Sequence, residues 1–141
     1  MQLLSHDDKA DALGRAPLFQ NLSRQDLVEL AKMTEDMEVE EGKVLARQGD
    51  IGQEFFVIVE GEVDVTKDGT DLRRLGAGDF FGEIALVWES PRRTATVTAA
   101  TPLRFFVLTR QAFRSLVDRH GDIEQKVLEA LEDRVSSADG D

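Results

Sequence analysis

Two short stretches hold most of the residue types that could do chemistry. The first is Asp79-Phe80-Phe81-Gly82-Glu83-Ile84-Ala85-Leu86, and the second, a loop's length later, is Pro91-Arg92-Arg93-Thr94-Ala95-Thr96-Val97. Gly82 permits a close backbone approach, and Glu83-Ile84-Ala85-Leu86 is long enough for one helical turn. Open N–H groups at such a turn make a concavity for an anion. An arginine returning from the second stretch presents a planar fork of donors, which a phosphate accepts bidentately. The chemistry implied is recognition of a small anion such as a phosphate.

Strand parity supports this assignment. If Ala95, Val97 and Ala99 face a core, Arg93 lies on the same face at the start of the strand. An inward guanidinium needs a partner, because an unpaired buried charge costs several kcal/mol. Glu83, across the loop, is the internal candidate, and an anionic ligand is the external one. Taken alone, Arg92-Arg93 reads as a solvated pair and Phe-Gly-Glu as a chance match. Together, in order and at loop spacing within a glycine-punctuated strand region, they point to one site.

The elements that must position this site fall into three parts. Residues 1–35 form a helical lead-in, 36–109 a β-barrel carrying the phosphate-binding stretch 81–97, and 110–136 two C-terminal helices, all within a single domain 1–141. In the lead-in, Ser23 fits an N-cap, Leu22 and Leu27 fit a hydrophobic staple, and Leu27, Leu30, Ala31 and Thr34 recur at helical spacing. The run Glu54-Phe55-Phe56-Val57-Ile58-Val59 is apolar on both faces and predicts a strand covered on both sides. Glu62-Val63-Asp64-Val65-Thr66 alternates as a strand with one wet face, and Asp68-Gly69 signals a hairpin. Short strands follow over Ala95–Ala99 and Leu103–Leu108. In the tail, Thr109 caps a helix bearing Ala112, Phe113, Leu116 and Val117, which His120-Gly121 stops. Asp122 with Gln125 fits a capping box for the last helix, whose stripe is Ile123, Val127, Leu131 and Val135. The fold class expected is mainly β with flanking helices: an antiparallel jelly-roll barrel between N-terminal helices and two C-terminal ones.

Composition narrows the partners. The 141 residues include 17 basic and 28 acidic ones, for a net charge of −11, and no cysteine. Disulfides and thiolate metal sites are therefore excluded. The acidic balance disfavours nucleic acid and anionic membranes, while a small anion can still bind where positive charge concentrates locally. The N-terminus, Met1 to Ala12, lacks a basic-then-apolar leader pattern, and no apolar run reaches spanning length. A cytoplasmic location is the expectation.

These motifs resemble the cyclic nucleotide-binding domain family, which includes regulatory subunits of cAMP-dependent kinase, catabolite activator proteins and cyclic nucleotide-gated channels. The resemblance covers nearly the whole chain, and Phe81 to Leu86 with Arg93 to Val97 matches the family's phosphate-binding cassette residue by residue. It implies that Glu83 accepts the ribose 2′-hydroxyl and that Arg93 holds the cyclic phosphate, with the N–H groups of Gly82, Ile84 and Ala85 completing the cradle. Thr94 sits where the family contacts phosphate or base, although alternation turns it away from Arg93. Phe81 and Val97 are pocket wall and core together. A helix after the barrel acts as a lid in the family, and Leu131 is the candidate base cover. One departure concerns the proline: in the kinase subunits it directly precedes the phosphate arginine, whereas Pro91-Arg92-Arg93 inserts a residue. Anchoring on Ala95-Thr96-Val97 selects Arg93, and Arg92 remains the alternative.

The function implied is a regulatory module that binds a cyclic nucleotide, cAMP first and cGMP as the alternative, and catalyses nothing. A metal-dependent oxygenase on a similar barrel requires inward histidines, and the two present, His6 and His120, lie outside the strand region. A third class keeps the fold as an interaction module without nucleotide; Glu83 and Arg93 argue against it. The DNA-binding relatives carry a helix-turn-helix domain after the lid helix. Output is therefore expected through an effector protein, self-association or a longer polypeptide.

Overall fold

A computed structural model describes residues 5–16, 19–82, 85 and 92–137; in the last helix, nothing is said of the side chains at 127, 130, 131 and 133–137. Two helices lead in. Helix α1 spans His6–Gly14 and α2 spans Arg24–Lys32, capped by Ser5 and Ser23, whose hydroxyls accept from the backbone N–H groups of Asp8 and Asp26 at 3.1 Å. The sequence reading singled out no helix at α1, whose inward face is only Ala10 and Leu13. Leu22 and Leu27 join the same core, as a staple requires.

Among the described residues eight strands follow: β1 (Glu35–Val39), β2 (Val44–Ala46), β3 (Glu54–Glu60), β4 (Val63–Lys67), β5 (Thr70–Leu75), β6 (Phe80–Phe81), β7 (Thr96–Ala99) and β8 (Leu103–Thr109). They form two four-stranded antiparallel sheets, ordered β1-β8-β3-β6 and β2-β7-β4-β5. The protein is thus mainly antiparallel β with helices at both ends. The expected barrel is two open sheets rather than a closed ring, because no ladder joins one sheet to the other among the described strands.

Strands β3, β6 and β8 of the first sheet are buried on both faces, and strand parity sorts their side chains. Phe55 and Val57 of β3, Phe80 of β6, and Phe106 and Leu108 of β8 pack with the helices. Their sequence neighbours Phe56, Ile58, Phe81, Phe105 and Val107 pack instead with Val63, Val65, Val97 and Ala99 of the second sheet. A period-two strand between two apolar layers must read as a continuous apolar run, which explains Phe55–Val59.

Helix α3 (Arg110–Arg119) begins at Thr109, whose hydroxyl accepts from the Ala112 N–H at 3.1 Å, and ends at His120. Helix α4 spans Asp122–Ser137. The capping box expected there does not form. Asp122 lies within the first turn and pairs with Lys126 at 3.3 Å, while the Gln125 amide donates to Glu129. In the α4 stripe Ile123 is fully buried, and the side chains of Val127, Leu131 and Val135 lie outside the described set. Among the described residues no helix is long and apolar enough to cross a membrane.

Candidate functional site

The site is built where three segments meet: the turn between β2 and β3, the end of β6, and the approach to β7. At β6, Phe81 pairs with Phe56 of β3, and the two rings stack with centroids 4.5 Å apart. Gly82 follows with φ +82°, a conformation that favours glycine. Its carbonyl accepts from the Ala85 N–H at 3.1 Å.

Arg93 reaches this corner from the other side. Its backbone is stitched to the β2–β3 turn: the Gly49 N–H donates to the Arg93 carbonyl and the Arg93 N–H to the Asp50 carbonyl, both at 2.8 Å. Its guanidinium donates from Nη2 to the Glu54 carbonyl at 2.9 Å and lies 5.7 Å above the Phe56 ring, within reach of the negative π-face.

Two glycines make room for that guanidinium. A Cβ at Gly52 would overlap the Arg93 Nε and Cζ outright. A Cβ at Gly82 would lie 2.6 Å from the Glu54 carbonyl oxygen and 2.7 Å from the Arg93 Nη1. Arg93 therefore runs through a slot that exists only because positions 52 and 82 carry no side chain. Gly49-Asp50-Ile51-Gly52 has two glycines where one turn needs a single glycine. That surplus is the sequence signal for Gly52.

A cleft opens along this slot, lined by Ala46, Val65, Phe81, Gly82, Ala85, Arg92, Arg93, Thr94, Ala95 and Val97. Ala95, Val97 and Ala99 are buried, so strand parity holds from residue 95 onward. Arg93 is half-buried at the rim rather than enclosed, and Arg92 and Thr94 are exposed. The Arg92 side chain turns back to donate to the Gly49 carbonyl at 2.8 Å. Of the residues singled out from sequence, the structure brings Phe81, Gly82, Ala85, Arg93, Thr94 and Val97 to one cleft. Glu83 and Ile84 lie outside the described residues, as does the side chain of Leu131.

Chemically the cleft offers a guanidinium fork, an aromatic and aliphatic wall, and the side-chain-free backbone of Gly82. That combination suits a small anion carrying an apolar or aromatic body. Among the described residues no cluster of His, Asp and Glu is arranged to hold a metal ion.

Comparison with known proteins follows the same lines. The sequence pattern of the cyclic nucleotide-binding domain matches residues 36–120. The chain is 40% identical over 108 residues to a cAMP-dependent protein kinase regulatory subunit of Eremothecium gossypii, covering 76% of this chain and 23% of that protein. It is 31% identical over 111 residues to a cGMP-dependent protein kinase of Caenorhabditis briggsae, covering 79% and 15%. The chain thus spans a quarter or less of these two curated relatives. Among solved structures it superposes on the regulatory domain of Toxoplasma gondii cAMP-dependent kinase, crystallised with cAMP, with a TM-score of 0.71 and 30% identity over 79% of this chain and 44% of that one.

Proposed function

The chain belongs to the cyclic nucleotide-binding domain family, and from that premise we propose that its cleft takes cAMP with the cyclic phosphate against Arg93. The observation that carries this proposal is the slot between Gly52 and Gly82, which holds one guanidinium in a fixed direction at the cleft. Of the two candidate arginines, Arg92 is exposed and bound to the Gly49 carbonyl, whereas Arg93 lies in the slot over Phe56. In this proposal Glu83 accepts from the ribose 2′-hydroxyl, Gly82 and Ile84 lend backbone donors to the phosphate, and the Ala85 N–H joins them by exchanging the Gly82 carbonyl for the ligand. Thr94 stands at the rim beside them, Phe81 and Val97 form the wall, and Leu131 of α4 covers the base.

The choice of cAMP rests on the kinase regulatory relative at 40% identity and on the cAMP complex among the structural neighbours. A preference for cGMP is the second reading, and the cGMP-dependent kinase relative favours it. Occupancy would act by moving α4 against the β-sheets, and the signal would pass to an effector protein or to another part of a longer polypeptide. Nucleic acid and membrane are not among the partners proposed, and the proposed setting is the cytoplasm.

Calorimetric titration of the purified chain with cAMP and then cGMP tests this directly. Tighter binding of cAMP is expected. Tighter binding of cGMP would reassign the ligand, and no heat with either would favour an interaction module that has kept the fold without the nucleotide.

A further inference from the structure

The β2–β3 turn that holds the Arg93 backbone is itself held from outside the cleft. Gln48, which precedes Gly49, makes three hydrogen bonds that fix it in place. Its backbone N–H donates to the Thr96 hydroxyl at 3.0 Å. Its side-chain amide donates from Nε2 to the Asp68 carboxylate at 2.8 Å, and its Oε1 accepts from the Asp68 backbone N–H at 2.9 Å. Asp68 is the tip of the β4–β5 hairpin and has φ +52°, the one described non-glycine residue in the left-handed region. The backbone there turns its N–H and its side chain toward the same amide.

Three segments far apart in sequence are therefore joined in series. The hairpin tip grips Gln48 through a two-point amide clamp. The next residue, Gly49, donates to the Arg93 carbonyl and accepts from Arg92, and Asp50 accepts from the Arg93 N–H. A hydrogen bond exposed to water contributes little to global stability, but a two-point clamp fixes orientation, and orientation is what a preorganised anion site needs. We infer that Gln48 is a positioning residue for Arg93: the Gln48–Asp68 clamp anchors the β2–β3 turn, so that the hairpin tip sets how well the guanidinium is aimed before ligand arrives. This inference rests on the assignment of Arg93 to the phosphate.

The base lies elsewhere in that assignment, so loosening the clamp must weaken all cyclic nucleotides alike. Calorimetry with both cAMP and cGMP on Gln48→Ala, Asp68→Gly and Asp68→Asn tests it, with thermal melts confirming that each variant is folded. Gln48→Ala should weaken both ligands by the same factor, about three- to tenfold, the range for one or two ordinary hydrogen bonds. Asp68→Gly keeps the backbone half of the clamp and tolerates the positive φ, so it should fall between Gln48→Ala and wild type. Asp68→Asn keeps an Oδ1 acceptor and a residue at ease in the left-handed region, so it should restore wild-type affinity. In the unliganded protein, the Arg93 Nε–H resonance should broaden in Gln48→Ala and stay as sharp as in wild type in Asp68→Asn. Unchanged affinity in Gln48→Ala, a change in the cAMP-to-cGMP ratio, or failure of Asp68→Asn to rescue would overturn the inference. Absence of binding by the wild-type chain would instead overturn the ligand assignment beneath it.

Discussion

Arg93 and Arg104 are both drawn in from solvent, and they are held in opposite ways. Arg104 stands on β8 beside the edge strand β1, and its guanidinium donates to the Asp36 carboxylate from both Nε, at 3.0 Å, and Nη2. The side chains are only 12% and 10% exposed, so the pair is nearly dry. The hydrogen bonds it donates to Asp36 raise the Arg104 pKa further above its already high ordinary value, against the opposing effect of burial. Register alone brings them together: Asp36 pairs with Phe106 and Glu38 with Arg104, so Asp36 reaches Arg104 diagonally. Arg93, by contrast, runs through the slot left by missing side chains at Gly52 and Gly82 and donates to the Glu54 backbone carbonyl. The first arginine completes the sheet, and the second is aimed along a cleft. Mutations should accordingly separate stability from binding.

The largest effect expected is on the sheet. Asp36→Ala leaves Arg104 nearly buried without its carboxylate and should cost about 3 kcal/mol of unfolding free energy, at the low end for a broken buried pair because β1 is an edge strand. Urea unfolding measures that loss, and calorimetry on the folded fraction should show unchanged nucleotide affinity. A matching drop in affinity would mean that the two arginines are not independent.

Gly52→Ala should do the reverse. The added methyl collides with the guanidinium, the flexible end of a side chain that can swing away, so the melting temperature should stay near wild type. Affinity for cAMP should fall about tenfold or more as the charge-assisted contact is lost. A large stability loss without a binding loss would show that the slot serves folding rather than ligand.

Arg92→Ala sharpens the comparison at its weak end. That side chain is exposed and bonded to one backbone carbonyl, where water competes for the guanidinium, so affinity should change less than about twofold.

The features visible in the sequence were those set by neighbours along the chain. Ser23 and Thr109 cap their helices because a cap needs only its own next three residues. Ala95, Val97 and Ala99 face inward because a strand alternates, and Phe55–Ile58 is buried on both sides because two layers flank it. The role of Gly52 was not visible, because the atoms that forbid a side chain there belong to a residue 41 positions later. The same holds for the clamp between Gln48 and Asp68. The capping box at Asp122 failed for another reason: Lys126 and Glu129 lie one helical turn from Asp122 and Gln125 and compete for their side chains. Phe81, Gly82, Arg93, Thr94 and Val97, singled out by type and order along the chain, line one cleft, whereas the contacts of Gly52 and the Glu54 carbonyl with Arg93 are assembled only by the fold.

The most direct test is a cAMP titration of Arg93→Ala beside wild type and Arg92→Ala, read by calorimetry on samples with matched melting curves. Loss of a charge-assisted phosphate contact should weaken binding of Arg93→Ala by about ten- to a hundredfold, while Arg92→Ala stays near wild type. Wild-type affinity in Arg93→Ala, or a larger loss in Arg92→Ala, would contradict the assignment of the slot between Gly52 and Gly82 to the phosphate.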